Sequence, residues 1–153
     1  MTDHTGSPAG DYWIRHDLAC ALSLGACGLT HLQAGVELLI DHEYWLRRAD
    51  FTDAFITIDD SVASTKAFID WPEAIAALTA GRLPCSGGER RMLLIAGSIA
   101  GAVPVDLSDV LIGLDRTNIV LVAAAVLRAA GLQDQMIAPQ PDNASHHRGA
   151  QQR

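Results

Sequence analysis

Leu83-Pro84-Cys85-Ser86-Gly87-Gly88-Glu89-Arg90-Arg91-Met92 is the stretch from which the rest of the chain can be read. Ser86 and Glu89 have the S-x-x-E spacing of a capping box, in which the hydroxyl accepts from the amide three residues on and the carboxylate reaches back to the serine amide. Pro84 holds Leu83 extended and keeps the chain from being helical before Ser86. Met92, Ile95, Ala96 and Ile99 then recur at helical spacing, so a helix is expected from about Gly87 to Ala100. The same residues suggest a binding surface. Successive amides at Gly87 and Gly88, the positive end of a helix dipole, and Arg82, Arg90 and Arg91 nearby suit a phosphate or carboxylate. Glu89 opposes that reading, because its charge stands beside the anion and its carboxylate takes the free amide.

Ser86-Gly87-Gly88-Glu89-Arg90-Arg91 also resembles the signature loop of ABC-type ATPases, where S-G-G-[QE] contacts the partner subunit's nucleotide. Such an ATPase needs a Walker A loop, G-x-x-x-x-G-K-[ST], to cradle the phosphates. The chain's only lysine, Lys66, follows Ser64-Thr65 with no glycine run before it. Asp109 lacks an apolar strand ahead of it, and Val110 stands where a glutamate is needed. The resemblance covers six residues and fails at both other required motifs, so an ATPase is rejected. A broader pattern runs through residues 34–131: Trp45-Leu46-Arg47-Arg48, Ile69-Asp70-Trp71, Leu83 to Met92, and Gly113-Leu114-Asp115. It resembles a small uncharacterised protein family of high-GC Gram-positive bacteria. That resemblance implies a bacterial source and transfers no activity and no catalytic residue.

At 153 residues one domain with a real hydrophobic core is expected. Hydrophobic residues make up 49% but aromatics only 5%, a mixture of Ala, Leu, Ile and Val that favours packed helices over a β-sandwich. A net charge of −7 disfavours generic binding to nucleic acid or to an anionic membrane. The longest apolar run, Ile119 to Leu127, is far short of the roughly 20 residues that span a bilayer. Three cysteines without a C-x-x-C pair read as reduced thiols, and no basic segment leads into an apolar run after Met1. A cytoplasmic protein is therefore expected.

Taken in order, residues 1–10 and 133–153 have the composition of disordered termini around a single helical domain over 11–132. A first helix starts near Asp11 and carries Ile14, Leu18, Ala21 and Leu22. Thr30 and Gln33 form a second capping box, opening a long helix from about His31 to Ala49 that could extend to Phe55. Phe55 to Asp59 and Ala67 to Trp71 have the β-branched and aromatic content of a small hairpin. Asp70 caps a helix to about Ala80, with Pro72 in its first turn, Glu73 completing a third box and Gly81 as its stop. Asp106 and Asp109 open a short helix, and Asp115 caps the last one, to Ala130. The fold expected is mainly α: a compact bundle of five to six helices with one small β-hairpin at about 55–71.

Catalytic constellations are incomplete. His42-Glu43 begins like H-E-x-x-H, but Leu46 takes the last position. His31 and His42 lie three turns apart and would need ligands from another helix to hold a metal, so no metal and no cofactor are assigned. Cys85, just before a helix N-terminus, has the position of a stabilised thiolate but no histidine at a diagnostic spacing. His146 and His147 lie in the tail. A helix–turn–helix rhythm over Asp106 to Ala130 lacks the polar, basic recognition face that reading DNA requires.

Ile119-Val120-Leu121-Val122-Ala123-Ala124-Ala125-Val126-Leu127 is apolar all round, and such a helix is central in its domain or covered by a partner. The function expected is a non-catalytic interaction or regulatory module, paired with itself as a homodimer or with another protein, through Ile119, Val122, Val126 and Leu127. Two alternatives stand beside it: an anion or phosphate-ligand site at Ser86, Gly87, Gly88, Arg90 and Arg91, and an enzyme using Cys85 or the His31/His42 face.

Overall fold

The computed structural model describes residues 8–61 and 64–132. In chain order these form α1 (Pro8–Gly25), α2 (Thr30–His42), a 3-10 turn (Trp45–Arg47), α3 (Ala49–Phe55), β1 (Ile56–Ser61), β2 (Ser64–Ile69), α4 (Trp71–Thr79), α5 (Gly87–Ile99), α6 (Leu107–Leu111) and α7 (Arg116–Ala129). The molecule is mainly helical, with one antiparallel hairpin, as expected. Seven α-helices rather than five to six appear among the described residues. The 133–153 tail, with His146 and His147, lies outside them, and α1 begins at Pro8, inside the stretch expected to be disordered.

The difference in helix count has one cause. The long helix expected from His31 to Ala49 stops at His42, because Glu43 takes φ 60°, the left-handed region that a residue with a Cβ occupies at a cost of about 1–3 kcal/mol. The break has a local reward. It turns the chain so that Trp45 enters the core fully buried, its indole N–H donating to the Glu89 carbonyl at 3.0 Å. The Tyr44 ring meets Trp45 edge-on, with ring centres 5.2 Å apart, and the Arg48 guanidinium lies over the Trp45 ring at 5.0 Å.

α2 is the hub. It packs on α5 and α7, and more lightly on α1, while α1 carries the hairpin through β2 and α5 carries α4. Gly35 explains how closely α2 and α5 approach: a Cβ there would stand 2.6 Å from the Ala96 carbonyl oxygen. Gly25 does the same for α1 and the sheet, since its Cβ would stand 2.1 Å from the Ala67 carbonyl oxygen. The hairpin register pairs Ile56 with Ile69 and Asp59 with Lys66, and buries Ala67 and Ile69.

Caps separate into those formed and those replaced. Ser86 and Glu89 form both halves of their box, at 3.3 and 2.6 Å. Asp70, Asp106 and Asp115 each accept from an amide in the first turn of the helix that follows. The Thr30 box does not form, because Thr30 is already helical and Gln33 donates instead to Glu37 at 3.0 Å. The third box is half made: Glu73 pairs with Arg82 at 2.9 Å, and the Asp70 amide goes to the Phe55 carbonyl.

Candidate functional site

The Ser86–Arg91 turn is built as a capped helix start, in which Ser86, Glu89 and Arg90 are turned to internal partners. Burial pushes the Glu89 carboxyl up, but hydrogen bonds from Ser86 and the Tyr44 hydroxyl outweigh it and hold the group below its ordinary value. An ionised carboxylate therefore occupies the ground an anion would need. The two arginines diverge. Arg90 donates to the Leu78 carbonyl at 2.9 Å, closing the end of α4. Arg91 folds back, with Nη1 2.9 Å from where a Cβ on Gly87 would stand and its guanidinium 3.6 Å from the equivalent point on Gly113. Gly87 thus makes room for Arg91. Of the five residues expected to form the site, Ser86, Gly87, Gly88 and Arg91 remain together and Arg90 leaves.

Cys85 is half-buried, and burial, followed by the Glu89 charge, raises its thiol above the ordinary value against weaker opposition from Arg48 and Arg90. The stabilised thiolate expected from its place before the helix is absent. The dipole effect is a fraction of a kcal/mol at an exposed terminus and is outweighed here by desolvation. His31 and His42 stand at opposite ends of α2. His31 lies against Gly101, past the C-terminal end of α5, while His42 is next to the α5 and α7 starts, within the fields of Glu89 and Asp115. His42 Nδ1 is buried with no hydrogen-bond partner among the described residues, and burial lowers the ring's pKa despite those two carboxylates. Among the described residues no group of three or more His, Cys, Asp or Glu is placed to hold a metal ion.

A trough of about 450 Å³ lies between α1, α3 and the hairpin, lined by Leu18, Ala21, Ile56 and Ile58. Its carboxylates, Asp17 and Asp53, are exposed, and the Thr52 hydroxyl bonds to carbonyls of its own helix. Polar groups do not converge on it as they do in a ligand site.

α7 differs in kind from these places. From Ile119 to Ala130 its one polar residue is Arg128. With successive side chains about 100° apart around a helix, Leu121, Val122, Ala125 and Arg128 fall on one half and Ile119, Val120, Ala123, Ala124, Val126, Leu127 and Ala130 on the other. The first half faces the domain: Val122 and Ala125 are buried, and Arg128 meets Glu37 of α2 at 2.6 Å. The second half faces outward, with Val120 62%, Val126 52% and Ile119 49% exposed. The polar residue is turned in and the greasy half is turned out. Of the four residues expected at an interface, Ile119, Val126 and Leu127 lie on this face, whereas Val122 is buried in the chain's own core and unavailable. Val120, Ala123 and Ala124 complete the face; an all-apolar run could not show which half would be covered. Leu107, Leu111 and Ile112, leading into α7, are exposed as well.

No protein-family model, no curated protein and no solved structure matches the chain. None of the described helices is long and apolar enough to cross a membrane.

Proposed function

We propose that the chain is a non-catalytic protein-interaction module whose docking surface is the outer half of α7. The observation that carries this reading is the inversion of α7, with Arg128 held inward on Glu37 while Ile119, Val120, Ala123, Ala124 and Val126 meet solvent. Exposing large aliphatic side chains along one face is costly in water, and such faces mark interaction sites. The Ser86–Arg91 turn supports the anion reading less well, because Glu89 fills it. Among the described residues, neither the Cys85 thiol nor the His42 ring has a side-chain hydrogen bond to a group that could take its proton.

The test is a photo-crosslinking residue placed at Ala124, with Ala76 on the exposed side of α4 as control, in cells that express the chain natively. Adducts of defined mass, to this chain or another protein, are expected at Ala124 and not at Ala76. The reading fails if the two positions give the same background.

A further inference from the structure

We infer that the outer edge of β1, with the trough beside it, receives an extended basic segment of another protein, which adds to the sheet as a third strand. This surface is separate from α7 and independent of what covers that helix. The two edges of the hairpin are unlike. The Asp70 amide donates to the Phe55 carbonyl at 2.8 Å, which makes Phe55 and Asp70 a bonded pair at the foot of the ladder. Bonded and unbonded pairs alternate along antiparallel strands. Ile58 with Ala67 and Asp60 with Thr65 are therefore unbonded pairs, whose N–H and C=O groups turn away from the opposite strand. On the β2 side α1 closes against them, since a Cβ on Gly25 would stand 2.1 Å from the Ala67 carbonyl oxygen. On the β1 side no further strand follows, and among the described residues no backbone group outside the hairpin bonds to Ile58 or Asp60. Open donors and acceptors of this kind are a template for an added strand.

Charge decides what that strand carries. Ile56 and Ile58 line the trough from β1, together with Leu18 and Ala21 of α1. Asp60 falls on the same side of the sheet, because side chains alternate along β1 and its cross-strand partner Thr65 also lines the trough. Asp17 from α1 and Asp53 from α3 stand there too, both exposed, and neither forms an ion pair among the described residues. Three carboxylates thus reach one apolar trough from three elements, and no cation is among the described residues that line it. Carboxylates that do not converge on a point suit a strand, whose alternate side chains enter one behind another about 7 Å apart. Lysine or arginine fits this lining: the methylene stem lies on the isoleucines and the charged head reaches a carboxylate. A second copy fits poorly, since β1 laid along β1 crowds Asp59 and Asp60 of both chains, and like charges oppose strand pairing.

The probe is a short peptide of alternating lysine and valine, acetylated and amidated, with alternating glutamate and valine as its control. Each is titrated into the full chain at about 0.15 M salt, where long-range attraction is screened. By calorimetry the lysine peptide should bind and the glutamate peptide should not. Hydrogen exchange followed by NMR should slow on binding at the Ile58 and Asp60 amides. It should stay unchanged at Thr57 and Asp59, which are already bonded across the hairpin. Asp17→Asn and Asp53→Asn should each weaken binding about threefold, whereas Asp109→Asn, which removes the same charge from exposed α6, should leave it unchanged. Binding that leaves exchange at Ile58 and Asp60 unaltered overturns the strand addition. Equal binding of the two peptides, binding of neither, or equal losses in Asp53→Asn and Asp109→Asn overturns the basic partner. Amides of Ile58 and Asp60 that are slow in the chain alone and quicken on dilution give the edge to a second copy, and overturn it as well.

Discussion

α5 and α7 are nearly the same object locally and opposite objects in the fold. Each begins with an oxygen cap, Ser86 or Asp115, and each runs three to four turns through Ala, Leu, Ile and Val. α5 buries Met92, Leu93, Ile95, Ala96 and Gly97 and turns Glu89, Arg90 and Arg91 to its edges. α7 buries only Val122 and Ala125 and shows Ile119, Val120, Ala123, Ala124 and Val126 to water. Burial follows position in the assembly as well as hydrophobicity. α5 lies between α2, α4 and α7, whereas α7 has neighbours on one side.

The largest break in that contrast is a matched pair of truncations. Met92→Ala empties a fully buried site and should cost about 2–5 kcal/mol in urea unfolding. Val126→Ser, made at concentrations where the chain is monomeric, should change stability by less than about 0.5 kcal/mol. Equal losses would remove the distinction between the two helices. Next in size is Gly35→Ala, which drives a methyl into the Ala96 carbonyl and should cost about 1–3 kcal/mol. No loss there would mean that α5 is not held at backbone contact with α2. Ser86→Ala and Asp115→Ala, read by the same unfolding, should each cost about 1 kcal/mol, since the caps work alike whatever the helix faces.

The smallest effect is in pH. His42 binds its proton less readily folded than unfolded, so stability should be full above the ordinary histidine value near 6.5 and fall as pH drops below it. Thermal melts should show a shallower decline in His42→Gln between neutral and mildly acid pH. Parallel declines would place the titrating group elsewhere.

Much of this organisation is legible in residue spacing. Ser86 with Glu89, and Asp70, Asp106 and Asp115, announce helix starts because a cap is a local contact, complete within one turn. Gly81 and Gly131 take positive φ, as residues that end helices do. What spacing could not reveal is set by distant groups. Glu43 leaves the helix because Trp45 has a place beneath Glu89, forty-four residues away. Thr30 fails as a cap although its motif is intact. The candidate site divides in the same way: its capping box was readable, but the departure of Arg90 toward Leu78 depends on where α4 ends.

One pair has a consequence of its own. Arg128 and Glu37, each about three-quarters shielded, act as an index pin that sets the rolling angle of α7 on α2. That ion pair acts together with the buried Val122 and Ala125 to fix which surface this molecule shows to its surroundings.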